Sequence, residues 1–495
     1  MAAVLTPVYR VDQLRAIEAR SADLPLMERA GRAACDAAQA MVGDRGGRVV
    51  VLAGPGNNGG DAMVVARSLR SLFYDVVVVF RADAEKLPAD AAKAYRSFID
   101  AGGDTIVALP DGKPALIIDG LFGIGLTRRL SDQYSELVRW ANATGSPILA
   151  LDVPTGLHAE TGVAMGAAIR ATATAKFLGL TAGLLTGDGP DHCGAITVHS
   201  LEVRPLVESS GHRLEWAALS ASLPAALTRM TRNVNKGTFG TLAIVGGAEG
   251  MIGASVLAGR AALRTGAGKV FVGLVAHSRC APDWGAPEVM LRSAETTLAG
   301  SMDACVIGPG LGTDAAAGVL VERALALDVP LVLDADALNV LAANPDLSRA
   351  TRRRTAVTLA TPHPGEAARL LSIDVAAVQA DRLSAALNLA REMRAHVVLK
   401  GSGSVLAHPD GSWDINASGG PALASAGTGD VLAGVLGAML AQKLDAKTAL
   451  RYAVCLHGAA ADTLVTRGVG PVGLGASELA SAARELINTA ARSVT

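Results

Sequence analysis

Arg48-Val-Val-Val-Leu-Ala53-Gly54-Pro-Gly56-Asn57-Asn58-Gly59-Gly60-Asp61, running on into Ala62–Leu72, decides the fold of the first half of the chain. The β-branched run reads as a buried strand, the glycines as a tight turn, and the Ala/Val/Leu-rich stretch after them as a helix. Strand, glycine loop and helix in that order open a βαβ unit. Outward from it, strands are predicted at Val76–Phe80, Ala115–Ile118, Ile148–Leu151 and Ile196–His199, separated by Ala-rich helical stretches. The alternation lapses between Val203 and Leu227. It restarts at Thr241–Val245, Val270–Val275, Ala304–Ile307, Leu331–Leu333, Ala356–Leu359 and Val397–Leu399, and a small hairpin is read at Val405–Leu406 and Trp413–Ile415. The pattern predicts an α/β protein of two parallel-sheet domains, 1–210 and 227–495, with a linker over 211–226.

Composition agrees with that class. At 495 residues two or three domains are expected. Hydrophobic residues make up 50% and aromatics only 3%, so the cores are built from Ala, Val and Leu, which suits parallel sheets covered by helices. The formal charge of −1 carries no basic footprint for nucleic acid. Cys35, Cys193, Cys280, Cys305 and Cys455 are odd in number and widely spaced, as free thiols in a reducing cytosol are, and suggest no zinc site. The start has no basic region followed by an apolar run, so no signal peptide is expected. The most apolar later run, Val431–Ala441, is too short to span a bilayer. A cytoplasmic location and no membrane partner are therefore expected.

Polar motifs fall where the predicted strands end, which is where open α/β sheets bind ligands. In the first half, Gly54, Gly56 and Gly59 match the dinucleotide pattern G-x-G-x-x-G, but the acid usual after the second strand is absent; Val76–Phe80 ends in Arg81. Asp119 ends the third strand, ahead of Gly123-Ile124-Gly125-Leu126-Thr127-Arg128-Arg129. Asp152 ends the fourth, in Asp152-Val-Pro-Thr155-Gly156. Any one of these can be a turn with a capping Asp; three together point to a site. The oxygens of Asn58, Asp119 and Thr155 can surround one hard, weakly charged cation.

In the second half, Ala254 lies in Met251-Ile-Gly253-Ala254, and Gly310 in Gly308-Pro-Gly310-Leu-Gly312. Asp334-Ala-Asp336-Ala-Leu-Asn339, Thr361-Pro-His363-Pro-Gly-Glu366 and Lys400-Gly401-Ser402-Gly403-Ser404 follow successive strands. No G-x-x-x-x-G-K-[ST] loop is present, so nucleotide use rests on another cradle. Gly427-Thr428-Gly429-Asp430 opens the apolar run Val431–Ala441. Glycine amides at a helix N-terminus make an anion hole, and an acid beside it is placed to take a proton from a hydroxyl while that oxygen meets a phosphate. Asp430 as a plain N-cap is the simpler reading, but a cap does not need glycines on both sides of Thr428.

With Leu26-Met-Glu-Arg-Ala-Gly31, these first-half motifs resemble the epimerase domain of NAD(P)H-hydrate repair enzymes over about Val8–Arg204. Those of the second half resemble, over about Leu227–Leu486, the nucleotide-dependent NAD(P)H-hydrate dehydratases of the ribokinase-like superfamily. The whole chain resembles the bacterial fused, bifunctional form. The resemblance implies a Rossmann-like three-layer sandwich followed by a ribokinase-like parallel-sheet domain. It implies that Asn57, Asn58, Gly59, Gly60, Asp61, Gly123 to Arg129 and Asp152 contact the hydrate in the first domain, with potassium on Asn58, Asp119 and Thr155. In the second, Ala254, Gly310, His363 and Asp430 would contact the hydrate, and Lys400, Gly401, Ser402, Gly403, Ser404 and Gly429 the adenine nucleotide, with magnesium. Asp152 and Asp430 are the catalytic candidates. Partners would be NADHX, NADPHX and ADP, in a homo-oligomer. The chain departs from the family pattern at Thr155 (serine is usual), Ile124 (threonine), Ala62 (glycine) and Ser404 (threonine). Two other readings stay open: a small-molecule kinase in the second half, and a non-catalytic nucleotide-binding module in the first. The choices between NADH and NADPH hydrate and between ADP and ATP also stay open.

Overall fold

In a computed structural model, residues 5–43, 46–204, 207–229, 231–276, 283 and 285–494 are described. The chain divides into two compact units, Pro7–Ser210 and Gly211–Thr495, the latter together with the first residues to Thr6.

The first unit is a parallel sheet in the order Thr105–Ile106, Val76–Phe80, Val49–Ala53, Leu116–Gly120, Ile148–Leu151, Ala173–Phe177, Ala195–His199. From Val49–Ala53 the chain first builds outward on one side, then returns to build on the other. The strand order therefore reverses between Val49–Ala53 and Leu116–Gly120, which opens a crevice beyond their carboxyl ends. Alternate residues of Val49–Ala53 serve opposite cores. Val49, Val51 and Ala53 pack with the helices Leu26–Val42, Asn57–Ser71 and Ala89–Asp100. Val50 and Leu52 pack with Asp132–Ala143 on the other face. Helices on both faces of one sheet make the expected three layers. A separate short pair, Thr6–Tyr9 with Leu180–Thr181, runs parallel within this unit apart from one residue.

The second unit orders its strands Met290–Ser293, Lys269–Leu274, Thr241–Gly246, Ala304–Ile307, Leu331–Leu333, Thr358–Ala360, His396–Leu399, all parallel. The expected hairpin follows as antiparallel Val405–Ala407 and Trp413–Asn416. Here too the order reverses, between Thr241–Gly246 and Ala304–Ile307. The apolar run becomes the helix Thr428–Ala441, with every residue from Val431 to Ala441 buried. Each fully buried Val or Leu in it contributes roughly 1.5–3 kcal/mol relative to exposure. It lies so close to Ile252–Arg264 that a Cβ on Gly434 would stand 2.1 Å from the Ala258 carbonyl oxygen.

Three departures from expectation have physical causes. The segment 211–226 is not a linker. Gly211–Leu214 pairs in parallel with Trp413–Asn416, and Trp216–Ser220 is a helix. A Pro- and Ser-rich run before it masked a strand of four residues whose first, Gly211, lies against the Trp413 ring. Ala173–Phe177 is a central strand that patterning missed, because Ala-Thr-Ala-Lys-Phe holds little β-branched content and a lysine. Ala356–Leu359 is displaced to Thr358–Ala360. Four cysteines, Cys35, Cys193, Cys305 and Cys455, are free and buried; Cys280 lies outside the described residues.

Gly434→Val is expected to destabilise the second unit by ~1–3 kcal/mol through overpacking against Ala258. A lowered denaturant midpoint for that unit, with the first unit's transition unchanged, is the measurement that checks it.

Candidate active sites

In the first unit the glycine loop brings the turn and the neighbouring strand into close contact. A Cβ on Gly54 would lie 1.8 Å from the Leu121 carbonyl oxygen, and one on Gly59 2.0 Å from the Gly54 carbonyl oxygen. Asn57 starts the helix Asn57–Ser71, so Asn58, Gly59 and Gly60 occupy its first turn and are buried, while Asn57 is exposed. The Leu26–Gly31 segment explains itself by packing: a Cβ on Gly31 would meet Val64 at 2.2 Å, and one on Gly60 would meet Met27 at 2.6 Å. It sets the position of the loop helix.

Asp119 is fully buried. It accepts from the Thr155 amide (2.8 Å), the Thr155 hydroxyl (2.7 Å) and more weakly from the Leu121 amide (3.3 Å). Burial outweighs these bonds and pushes its carboxyl up to about 6. Thr155 Oγ1 in turn accepts from the Phe122 amide at 3.0 Å. Asn58, 8% exposed, has neither its side-chain oxygen nor its nitrogen hydrogen-bonded, and its backbone carbonyl lies against Gly120, the residue after Asp119. One carboxylate short of charge compensation and one orphaned amide oxygen fit a weakly charged hard cation. The residues fit the group that the sequence implied.

Asp152 follows the strand Ile148–Leu151 with φ of +63°, an uncommon conformation for a non-glycine residue. Its amide donates to Ala175 O (2.8 Å), and its carboxylate takes the Lys176 ammonium on Oδ1 and the Ile124 amide on Oδ2 (3.0 Å). A Cβ on Gly123 would lie 2.6 Å from that Oδ2, so the missing side chain lets the Gly123–Arg129 loop close on Asp152 with the carboxylate in place. In that loop Gly125, Thr127, Arg128 and Arg129 are exposed and Leu126 is buried. The Ile124 contact is made by backbone, so it survives the departure from threonine. Asp61 makes no hydrogen bond among the described residues. Burial first, then Asp152 and Glu18, push its carboxyl well above the ordinary range. Glu18 is raised by burial and by Asp152, and lowered by Lys176. Sequence reading missed Lys176 and Glu18: the first lies in the unrecognised strand, the second on the helix Val11–Arg20 outside any motif.

In the second unit Gly427, with φ of +85°, precedes the helix, and Thr428, Gly429 and Asp430 are its first three residues. Asp430 makes no hydrogen bond among the described residues, so it is not the helix cap that the simpler reading required. Lys400 Nζ bonds Asp334 Oδ1 at 3.1 Å, stands 4.0 Å from Glu366, and lies 3.4 Å from where a Gly429 Cβ would be. Burial and Asp334 raise the Asp430 carboxyl, Lys400 pulls it back and Asp336 adds to the rise, leaving it at about 6. Burial acts to lower Lys400, but Asp334 and Glu366 outweigh it and hold the ammonium charged above its ordinary range.

His363 caps the helix Pro364–Leu371. Its Nδ1 accepts from the Gly365 amide (2.9 Å) and the Glu366 amide (3.4 Å), which puts the ring proton on Nε2, 3.2 Å from Glu366 Oε1. Burial, Lys400 and Arg369 depress the imidazole, so it stays neutral near pH 7. Gly310 (φ +60°) and Ala254 are neighbours, a Cβ on Gly310 lying 3.2 Å from that of Ala254. Gly401–Ser404 is closed by Ser404 Oγ, which accepts from the Gly401 amide (3.3 Å), so the hydroxyl kept in place of threonine's is in use. The buried Arg382 guanidinium lies beneath Gly401 and donates to the Leu399 and Lys400 carbonyls. Asp334, Asp336 and Glu366 have no role in the sequence reading. Asp334 and Asp336 follow a strand end, whereas Glu366 completes the capping box of Pro364–Leu371 by accepting from the His363 amide at 2.7 Å, a role that hides its place beside Lys400.

Fold and sites together define a two-unit α/β enzyme with a carboxylate at the carboxyl edge of each parallel sheet. Two family descriptions match: YjeF-related protein N-terminus over residues 23–183, and NAD(P)H-hydrate dehydratase over 242–483. A bifunctional NAD(P)H-hydrate repair enzyme of Escherichia coli K12 is 38% identical, covering 97% of this chain and 94% of its own. One of Coxiella burnetii is 34% identical over 98% and 100%. A Bacillus subtilis ADP/ATP-dependent NAD(P)H-hydrate dehydratase, co-crystallised with ATP/Mg2+, is 30% identical, covering 56% of this chain and 99% of its own, with a TM-score of 0.48. The chain belongs to the family of bifunctional NAD(P)H-hydrate repair enzymes.

Titration of Asp430, followed by NMR of the ligand-free protein, is expected to centre near pH 6. In Lys400→Met it should move to higher pH, because the cation that favours the ionised form is gone.

Proposed function

We propose that the first unit interconverts the R and S epimers of hydrated NADH and NADPH, and that the second dehydrates the S epimer with ADP as phosphoryl donor, giving AMP and phosphate. Full-length similarity to bifunctional repair enzymes supports the pairing of activities. The observation that carries the dehydratase chemistry is Asp430: unbonded, raised to about 6, and beside the amides of Gly427–Gly429.

Hydration leaves a hydroxyl on C6 of the nicotinamide ring, and hydroxide is a poor leaving group. Asp430 accepts the hydroxyl proton as the oxygen attacks the terminal phosphoryl, and the Gly427–Gly429 amides stabilise charge on the transferring group. The C6–O bond then breaks with the electron pair going to phosphate, and loss of a proton from C5 restores the ring double bond. His363, Ala254 and Gly310 hold the hydrate; Lys400 to Ser404 and Gly429 hold the nucleotide. Magnesium, when bound with the nucleotide, supplies further neutralisation of phosphate charge.

In the first unit Asp152 assists departure and return of the C6 oxygen, within a pocket formed by Asn57–Asp61 and Gly123–Arg129. Asn58, Asp119 and Thr155 would hold potassium, whose positive charge compensates Asp119 and organises the loop around it. The reading includes a cytoplasmic homo-oligomer. Among the described residues no helix is long and apolar enough to cross a membrane.

Asp430→Asn is expected to lower nucleotide-dependent dehydration by at least about 100-fold and leave epimerisation intact; Asp152→Asn should do the reverse. Each epimer is followed by chromatography. Near-normal dehydration in the first variant, or wild-type R-hydrate clearance in the second, would sink the corresponding assignment. At equal concentrations ADP should give the faster initial rate, since a site that puts the β-phosphoryl at the amides leaves the extra phosphate of ATP in the hydrate's place. Equal rates with ATP freed of ADP would reject that preference alone.

A further inference from the structure

The first-unit pocket gathers three carboxylates, Glu18, Asp61 and Asp152, around one ammonium, Lys176. Lys176 is 1% exposed and comes from the strand beside Asp152's own. The hydrogen-bond donors are shared unequally. Asp152 receives both the Lys176 ammonium and the Ile124 amide, while among the described residues the carboxylates of Asp61 and Glu18 receive none. Donors, one of them charged, favour the ionised form of a carboxyl; burial and neighbouring acids without a donor favour the protonated form, and Asp61 is the more strongly raised of the two acids so placed.

We propose that Lys176 is a positioning residue of the epimerase site, holding the pocket's negative charge on Asp152 and so leaving Asp61 to carry the proton that the C6 oxygen takes when it departs. The inference rests on the epimerase reading above and extends it to how the protons are sorted. Epimerisation needs a group that gives a proton and takes it back, since the oxygen leaves one face as water and water returns to the other. The ring-nitrogen pair forms the N1–C6 double bond as the C6–O bond breaks, and the oxygen leaves as water with the Asp61 proton. Water then attacks the opposite face of C6, the electron pair returns to N1, and the proton released goes back to the Asp61 carboxylate. The Asp152 carboxylate, bonded to the Lys176 ammonium and the Ile124 amide, faces the cationic intermediate. Two acids of one type thus take opposite roles because their surroundings differ.

The test uses full-length protein and mixed R/S hydrate at saturating concentrations, with dehydration of the S epimer as a control on the second unit. Lys176→Met is expected to lower the epimerase kcat by about 100-fold or more with KM within about threefold, and to move the acid limb of its pH profile upward. Lys176→Arg, which keeps the charge, should recover at least about tenfold of that loss. Because Lys176 acts through Asp152, the Asp152→Asn/Lys176→Met double variant should be no slower than Asp152→Asn alone. Losses that add in the double variant, or a Lys176→Met enzyme with wild-type kcat and pH profile, would overturn the inference while leaving the epimerase reading in place. Failure of the wild-type protein to interconvert the epimers faster than buffer would overturn the reading itself. Should Lys176→Met lack a cooperative unfolding transition, Lys176→Gln in the Asp152→Asn background, where one charge of each sign has gone, decides by the same comparison.

Discussion

One ammonium set among three carboxylates governs the charge of each site. Lys176 answers Asp152, with Asp61 and Glu18 beside it; Lys400 answers Asp334, with Glu366 and Asp430 beside it. A buried cation without a partner costs several kcal/mol in desolvation. In each pocket the lysine bonds one acid directly, and the acids it does not bond are pushed toward holding their protons. Carboxyls that hold protons near neutrality are the groups an acid–base enzyme uses. Among the described residues the carboxylate left without a hydrogen bond in the second unit is that of Asp430; in the first, those of Asp61 and Glu18.

That arrangement depends on the sheets. In both units the strand order reverses beside the first strand of the sheet, and the polar loops of the two flanking strands face the same crevice. The approach is close enough that side chains are excluded at chosen points. Gly123 leaves room for the Asp152 carboxylate, and Gly310 leaves room for Ala254. The lysines come from other strands of the same sheets, one within Ala173–Phe177 and one just past His396–Leu399.

Most of this was legible in the sequence, and the failures have a common form. Long β-branched runs such as Val49–Ala53 and Val76–Phe80 gave the sheets, and glycine-rich segments after them gave the loops. The acid at the head of Val431–Ala441 could be read as more than a cap, and among the described residues it makes no capping bond. Ala173–Phe177 was lost because a central strand carrying a buried lysine breaks the apolar pattern by which central strands are found. Losing the strand lost Lys176. Glu18 is brought in by tertiary packing of a helix that bears no motif. Asp334 and Glu366 were visible as letters, but which acid faces the lysine is a matter of distance, and one-dimensional spacing does not contain it.

The parallel pairing of Gly211–Leu214 with Trp413–Asn416 bears on how this chain can be divided. A second-half fragment begun at Leu227, where the apolar alternation resumes, would leave one side of Trp413–Asn416 with its amides and carbonyls unpaired and the indole of Trp413 uncovered by Gly211. An open strand edge with an aromatic beside it is a template for intermolecular β-sheet, so such a fragment would associate through that edge. A fragment that begins before Gly211 keeps its own guard strand. The sixteen-odd residues read as a spacer are thus what separates a self-contained piece from an adhesive one.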